Sequence, residues 1–262
     1  MRALRLLFFV LLLASVFGGL AFGQDAAAAS PTLALPQAAA GDAGGVRLST
    51  AVEIALLLTA LSVLPAIVIT VTSFTRIVIV LSFVRRSLSV NELPPNPVVI
   101  ALSLLLTMFV MGPIFSRTYD KAYVPYRDGT LGAQEAAGVA WGELRGFLVA
   151  NTRSSEIDLF LELGGEKRPV DDGGALVTQE LPARVVVPAF VLSELKTSFQ
   201  MGFLLFLPFL VIDLVVASVL ISMGMFMLPP VMISTPFKIL LFVLVDGWHL
   251  VCQSLVTSFV VS

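Results

Sequence analysis

The sequence has one cysteine, one histidine and few charged residues, and each shortage excludes a class of protein. With Cys252 as its single cysteine, the chain cannot form an intrachain disulfide. With His249 as its single histidine, it cannot build a multi-histidine metal site within one chain. Neither a glycine-rich phosphate loop ending in Gly-Lys-Ser/Thr nor a His-Glu-x-x-His zinc motif occurs. We therefore expect no cofactor, no metal and no enzymatic activity.

The scarcity of charge also limits where the chain can reside. Only 13% of its residues are charged and 57% are hydrophobic, whereas a soluble domain carries about 25% charged residues. The formal net charge of −2 argues against nucleic-acid binding, which favours a concentrated basic face. The composition indicates a membrane protein, or one whose surface is largely buried by partners.

The N-terminus resembles a secretory signal. Arg2 and Arg5 precede a short apolar core at 6–16, and a small-x-small cleavage pattern comes after it. We predict a signal peptide at 1–23 and a flexible, low-complexity tether at 24–47. The alternative is a retained first membrane helix.

Beyond the tether the sequence contains four apolar spans, and each is long enough to cross about 30 Å of hydrocarbon as a helix. They cover about Ile54–Val84, Val98–Phe115, Phe199–Ser222 and Phe237–Val261. We predict an all-α fold of two hydrophobic helical hairpins, at 48–115 and 199–262, with an extracytoplasmic polar helical region at 116–198 between them. We expect Pro65 to kink the first span.

The positive-inside tendency places both hairpin connections in the cytoplasm. Arg85-Arg86 mark the first connection, and Lys238 alone marks the second.

The polar region is predicted to contain several helices. One of them carries Gly138, Gly142 and Gly146 on a single stripe. Each glycine costs about 1 kcal/mol of helix propensity, so the stripe indicates either close packing of another backbone or a merely weak helix. A later helix is predicted to start with Pro188 in its first turn, after a short extended piece.

Ionisable residues inside the apolar spans are the first candidates for a functional site, because a carboxylate facing lipid costs about 3 kcal/mol. If the last two spans fold back about the bend at Pro229-Pro230, Asp213 and Asp246 lie level, each roughly 24 Å from the turn. His249 comes one helical turn after Asp246. These three residues form either a proton-responsive cluster or buried polar contacts between helices of neighbouring subunits.

Arg76 is the basic counterpart in the first span. It either pairs with a carboxylate or extends its head group to a membrane interface.

Four of the eight methionines, at positions 223, 225, 227 and 232, flank the bend at Pro229-Pro230. Methionine is unbranched and polarizable, so it fills irregular space and deforms readily. On one chain, such a bend is ordinary packing. Repeated around an axis by several copies, it becomes a soft apolar ring that can seal a pore.

Two long motifs favour the pore-sealing interpretation of the bend. "PFKILLFVLVDGWHL" (236–250) and "PAFVLSELKTSFQMGF" (188–203) resemble signatures of the FliP family of flagellar type III export-gate proteins, although Ser198 stands where glycine or alanine is expected. "RIVIVLSFVRRSL" and "LPPNPVVIALSLLLTMFVMGP" are similar to the family's N-terminal half.

The resemblance implies a helical subunit that assembles in several copies, with FliQ and FliR, into the export channel of the flagellar basal body at the bacterial inner membrane. Further partners would be other membrane components of the apparatus and unfolded flagellar substrates. The pore gasket would fall on Met225, Phe226 and Met227, with Phe226 where methionine is expected. Much of the apolar surface would then pack against other subunits and lie above the plane of the bilayer.

Two alternative functions are also compatible with the sequence. One is a multi-pass ion-coupled transporter that uses Asp213, Asp246 and His249. The other is a scaffold of the same apparatus with no pore-lining role.

Overall fold

The computed structural model describes residues 55, 58–59, 61–63, 65–89, 94–170, 177, 180–225 and 227–260. The predicted signal peptide and tether lie outside these residues. Residues from Ile67 onward form one compact unit.

Within the described part of this unit, helices account for nearly all regular structure, as predicted. The α-helices are α1 (Phe74–Ser87), α2 (Asn96–Thr118), α3 (Val124–Arg127), α4 (Ala133–Ala150), α5 (Ser154–Leu163), α6 (Ala183–Ser222), α7 (Pro230–Leu244) and α8 (Gly247–Thr257), with a π-helical turn at Tyr119–Tyr123. The all-α expectation is confirmed.

One hydrophobic core joins these helices around the first half of α6. Helix α1 packs along α6, α2 packs on α1, and α5 packs on the start of α6. The core side chains, all at most 4% exposed, include Ile77, Val80, Leu81, Met111, Ile114, Phe147, Leu148, Ile157, Val186, Phe190 and Leu255. The core therefore sits beside the polar region, at one end of the long helix.

The four predicted spans correspond to apolar helices, with two corrections. The spans at 98–115 and 199–222 fall inside α2 and α6, which are long and apolar enough to cross a membrane. The first span is instead broken by 80° between Pro65–Val71 and Phe74–Ser87, so the described bend lies at Thr72-Ser73. The fourth span is broken by 64° between α7 and α8. The described residues thus contain two candidate spans, or up to four if each bent pair counts as one.

Helix α6 begins earlier than its sequence indicates. It starts at Ala183 after Pro182, and both Pro188 and Pro208 lie inside it. The expected extended piece is therefore helical, because Val185, Val186 and Ala189 are buried in the core and packing overrides the local preference. One continuous helix runs from the polar region into the third apolar span.

The glycine stripe of α4 faces open space. Apart from the neighbouring backbone of α4 itself, no described atom lies within 4 Å of where a side chain would begin at Gly138, Gly142 or Gly146. The predicted close-packing backbone is therefore not supplied by the described part of this chain.

The methionine-rich bend starts with a specific helix ending. After α6, Gly224 adopts a left-handed conformation with φ 77°. The Met225 N–H donates to the Leu220 carbonyl (3.0 Å) and the Gly224 N–H donates to the Ile221 carbonyl (3.0 Å). This pair of bonds is a Schellman motif, which requires a residue that tolerates positive φ. Pro230 then starts α7 with its fixed φ.

The break between α7 and α8 explains the Asp-Gly-Trp sequence. Asp246 is left-handed, with φ 51°. A side chain on Gly247 would overlap the ring of Phe242. That ring also meets Trp248 edge-on, with ring centroids 5.3 Å apart. Asp246 and Gly247 therefore allow the turn, and Trp248 packs against the ring that lies beside it.

We predict that Gly224→Ala destabilises the bend, because a left-handed residue with a β-carbon costs about 1–2 kcal/mol. The matched control is Gly138→Ala, in a helix interior with open space around it, where alanine gains up to about 1 kcal/mol of helix propensity. Thermal unfolding of the purified chain in detergent should show opposite shifts. Equal shifts for the two variants would mean that the left-handed ending does not constrain the bend.

Candidate functional site

A buried ion pair ties three helices together near the start of α6. The Arg76 Nε donates to Glu194 Oε2 (2.8 Å), and its Nη2 contacts Glu194 Oε1. The Arg76 Nη1 donates to the Ser258 carbonyl (2.9 Å) and hydroxyl (3.0 Å), just after α8. The guanidinium carbon lies 3.9 Å from the centroid of the Phe259 ring. Arg76 thus pairs with a carboxylate, one of the two alternatives left open by the sequence.

Because both partners are buried, the pair strongly constrains how α1 packs against α6. Arg76 is 3% exposed and Glu194 is 0% exposed. Removing one partner of such a pair leaves a buried charge without compensation, at about 3–5 kcal/mol. The bidentate geometry also fixes the orientation of α1 relative to α6, since the guanidinium and carboxylate planes must align.

A second ion pair joins α6 to α7 nearer the bend. The Lys238 Nζ lies 2.6 Å from Asp213 Oδ2 and donates to the Ser89 hydroxyl at 2.8 Å. The Ser234 hydroxyl donates to Asp213 Oδ1 at 2.5 Å. Lys238 is 1% exposed, while the Asp213 side chain is 31% exposed. The pair therefore clamps the helices on either side of the methionine-rich bend.

Sequence reasoning missed Glu194 and misplaced Lys238. It assigned Lys238 to a connecting segment, but the residue is buried within α7. An available signal was that α6 carries two carboxylates in apolar surroundings, Glu194 and Asp213, and each needs a cation. The sequence separation of 118 residues between Arg76 and Glu194 hides the first pairing.

The proposed cluster of Asp213, Asp246 and His249 does not form in this chain. Asp213 pairs with Lys238. Asp246 is exposed and lies at the break before α8, and His249 is exposed in the first turn of α8. The predicted alignment placed the turn at Pro229-Pro230, but α6 already ends at Ser222, so the α7 residue level with Asp213 is Lys238 and not Asp246.

The methionines at the bend are exposed in the single chain. Met227 is 95% exposed, Met232 72% and Met223 64%. Met225 is 36% exposed, and Phe226 lies outside the described residues. The bend therefore presents flexible apolar side chains that the described part of the chain does not cover.

The apolar surface continues from the bend along both helices. On α6 and α7, the exposed large apolar side chains include Phe203, Leu204, Val211, Leu214, Val215, Val219, Phe237, Leu240, Val243 and Leu244. An apolar surface of this extent marks contact with lipid or protein.

The polar region contains its own ion-pair network. Glu143 of α4 accepts from Arg117 Nε (3.1 Å) and from Lys121 Nζ (2.6 Å). The hydrogen bond from Lys121, opposed by desolvation and assisted by the charges of Lys121 and Arg117, holds the pKa of Glu143 below its usual value. The network ties α4 to the end of α2 and the π-helical turn.

Comparisons with known proteins agree with the motifs. The model of the FliP family matches residues 57–255. The chain is 51% identical over 211 residues to the flagellar biosynthetic protein FliP of Bacillus subtilis, covering 80% of this chain and 93% of that protein. It is 50% identical over 208 residues to the protein of that name in Caulobacter vibrioides, covering 79% of this chain and 76% of the relative. It is 47% identical over 216 residues to the protein of that name in Cereibacter sphaeroides, covering 82% of this chain and 70% of the relative.

We predict that Arg76→Met lowers the free energy of unfolding by about 3–5 kcal/mol, because Glu194 is left buried and unpaired. The matched control is Arg168→Met, which breaks the exposed pair with Asp158 (side chains 45% and 43% exposed). Such exposed pairs contribute about 0–1 kcal/mol. Denaturant unfolding in detergent measures the free energy of unfolding of both variants. Comparable losses would show that burial of the Arg76 pair adds no stability beyond that of an exposed pair.

We predict that the contribution of Glu143 to stability depends on pH. Since its pKa in the folded chain is below the ordinary value of 4.5, the contribution is complete above about pH 4.5 and is lost as the pH falls through the lower folded value. The stability difference between the natural chain and Glu143→Gln should therefore be constant near neutral pH and shrink on acidification. Thermal unfolding across this range is the measurement, and a difference that grows in acid would contradict the assignment.

Proposed function

This chain belongs to the FliP family, and on that premise we propose that it is a core channel-forming subunit of the flagellar type III protein export apparatus. Several copies would assemble, together with FliQ and FliR, into the export gate for unfolded flagellar proteins. The assembly would reside at the bacterial inner membrane, in the flagellar basal body, alongside other membrane components of the apparatus. The relatives' shared name as flagellar biosynthetic proteins supports this role.

The observation that carries the proposal is the exposed apolar surface that ends in the methionine-rich bend. A single chain leaves Met227 and the outer faces of α6 and α7 uncovered. Copies of the chain, side by side, would cover those faces and bring their bends together around one axis. Met225, Phe226 and Met227 would then form a soft collar that excludes ions and yields to a passing polypeptide.

The ion pairs have a supporting role in this assembly. Because Asp213 is bound by Lys238 and Ser234, the two helices leading to the bend are held at a fixed spacing. The collar can then be soft at its side chains while its backbone support stays rigid. Such a conduit requires positioning and no bond-breaking chemistry, in agreement with the expectation that the chain is not an enzyme.

The ion-coupled transporter is the weaker candidate. It needs Asp213, Asp246 and His249 to share one site, and the described chain separates them. No observation favours it over the channel. The scaffold alternative differs from the channel in one measurable property, the flow of ions through the assembled particle.

We predict that the double substitution Met225→Ala and Met227→Ala raises the ion conductance of the assembled particle in a planar lipid bilayer, because smaller side chains open the collar. The matched control is Met232→Ala, another exposed methionine that lies outside the collar in α7. That variant should stay closed.

Two results would overturn the channel. Unchanged conductance in the double variant would indicate a scaffold with no pore-lining role. A purified particle whose mass corresponds to a single copy of this chain would exclude the collar, because the collar requires several copies.

A further inference from the structure

Two charged side chains and the single histidine on the apolar helices have no hydrogen bond or ion pair with another described side chain. Arg86 lies near the end of α1, Asp246 lies at the break before α8, and His249 lies in the first turn of α8. All three are exposed. The other cations and carboxylates of α1, α6 and α7 each contact a polar or charged side chain. These three residues are thus the ones for which the described chain supplies no partner.

The packing of α1 on α6 fixes the height of Arg86. The two helices run side by side in the same direction, with the buried arginine–glutamate pair near the start of the contact. Further along, the side chain of Phe83 lies directly against Gly202 of α6. Arg86 comes three residues after Phe83, so it is level with about Leu205 of α6.

Asp246 lies at the same height, although it is reached from the other direction. Helix α7 runs antiparallel to α6, with the buried lysine–aspartate pair nearer the bend. One turn further on, the rings of Phe209 and Phe242 have centroids 6.3 Å apart. Asp246 comes four residues after Phe242, so it is also level with about Leu205. Arg86 and Asp246 therefore lie at about the same height along α6.

The two charges lie on different flanks of the subunit. Helix α1 packs on α6 through one buried stripe and on α2 through another, which contains Leu81, Val84 and Leu88. At about 100° per residue, Arg86 lies almost opposite this second stripe and so faces away from α2. Helix α8 instead packs on α2. One flank therefore carries Arg86, and the other carries the start of α8 with Asp246.

Asp246 is surrounded by apolar surface. The three residues before it, Val243, Leu244 and Val245, are 68%, 74% and 49% exposed. When a neighbouring copy covers this surface, a carboxylate left there without a cation is costly. The chain can itself supply that cation, because Arg86 lies at the matching height on the opposite flank.

We propose that Arg86 of one copy pairs with Asp246 of the next copy around the channel, with His249 beside the pair. Copies arranged head to tail around an axis meet through different flanks, so groups that pair must lie on opposite flanks at similar heights. His249 follows Asp246 by three residues, which places it on the same side at the start of α8. The inference rests on the multi-copy assembly of the proposed function and identifies a contact between its copies.

The presence of both signs of charge favours a second copy over other occupants. A lipid phosphate or an acidic protein would bind Arg86 but would repel Asp246. A cationic partner would do the opposite. Only a surface that carries both signs satisfies both flanks, and another copy of this chain carries them at the required height.

The first test cross-links neighbouring copies in the assembled particle. In the full chain with Cys252→Ser, Arg86→Cys is combined with His249→Cys, which leaves the left-handed residue 246 unchanged. The control combines Arg86→Cys with Thr257→Cys, an exposed residue two turns further along α8. A short bis-maleimide is the reagent, because a disulfide requires β-carbons about 3.5–4.5 Å apart and an arginine side chain spans more. Denaturing electrophoresis separates the products.

We expect the pair at 86 and 249 to give dimers and higher multiples of the chain mass, and the control pair to give monomers. Monomers from both pairs, in a particle of several copies, would overturn the contact and leave the channel in place. Equal cross-linking of both pairs would also overturn it, since the contact would then have no defined height. A particle of one copy would instead overturn the proposed function, so the two failures are distinguishable.

The second test asks whether the two charges act together. Arg86→Gln and Asp246→Asn are made singly and in combination, and asparagine is chosen because it tolerates the left-handed backbone. The measurement is the fraction of particle that stays assembled in detergent. Each single variant should lose assembled particle, and the double variant should lose no more than either single, because its second substitution removes a charge that has no partner. Losses that add in the double variant would show that the residues do not interact and would overturn the pair.

Discussion

The bidentate pair between Arg76 and Glu194 is the interaction on which the rest of this structure depends. In a chain with so few charges, a buried guanidinium is tolerated only if a carboxylate meets it with matched geometry. Glu194 supplies that carboxylate from α6, while Ser258 and Phe259 complete the shell around the cation. Three segments that are far apart in sequence are thereby brought to one point.

The second pair extends the same principle along α6. Asp213 lies about 28 Å of helix beyond Glu194, and it draws Lys238 of α7 into the interior. One long helix therefore carries two acidic positions, and its neighbours supply the two cations. Helices that are apolar almost all round have little else to define their orientation, because apolar contacts are not directional. The two ion pairs therefore set the orientation of α1 and α7 relative to α6.

The described chain leaves a large apolar surface exposed on α6, α7 and the methionine-rich bend. The core lies at one end of α6, while the other end, α7 and the methionine-rich bend remain exposed and apolar. In the proposed assembly, association of several copies would bury this surface.

The helical class, the long apolar segments and the family could be predicted from sequence alone, because they depend on local composition and on long contiguous motifs. Arg76, Asp213 and the bend could also be singled out there, since a charge or a double proline in an apolar run is conspicuous. The partners of those charges were not, because Glu194 and Lys238 lie far away along the chain and only packing brings them together. The breaks at Thr72-Ser73 and Asp246 were not predicted either, since hydropathy does not report the left-handed backbone of Asp246 or the ring of Phe242 against Gly247, which turn one predicted span into two helices. Tertiary packing alone decided which residues neutralise the buried charges.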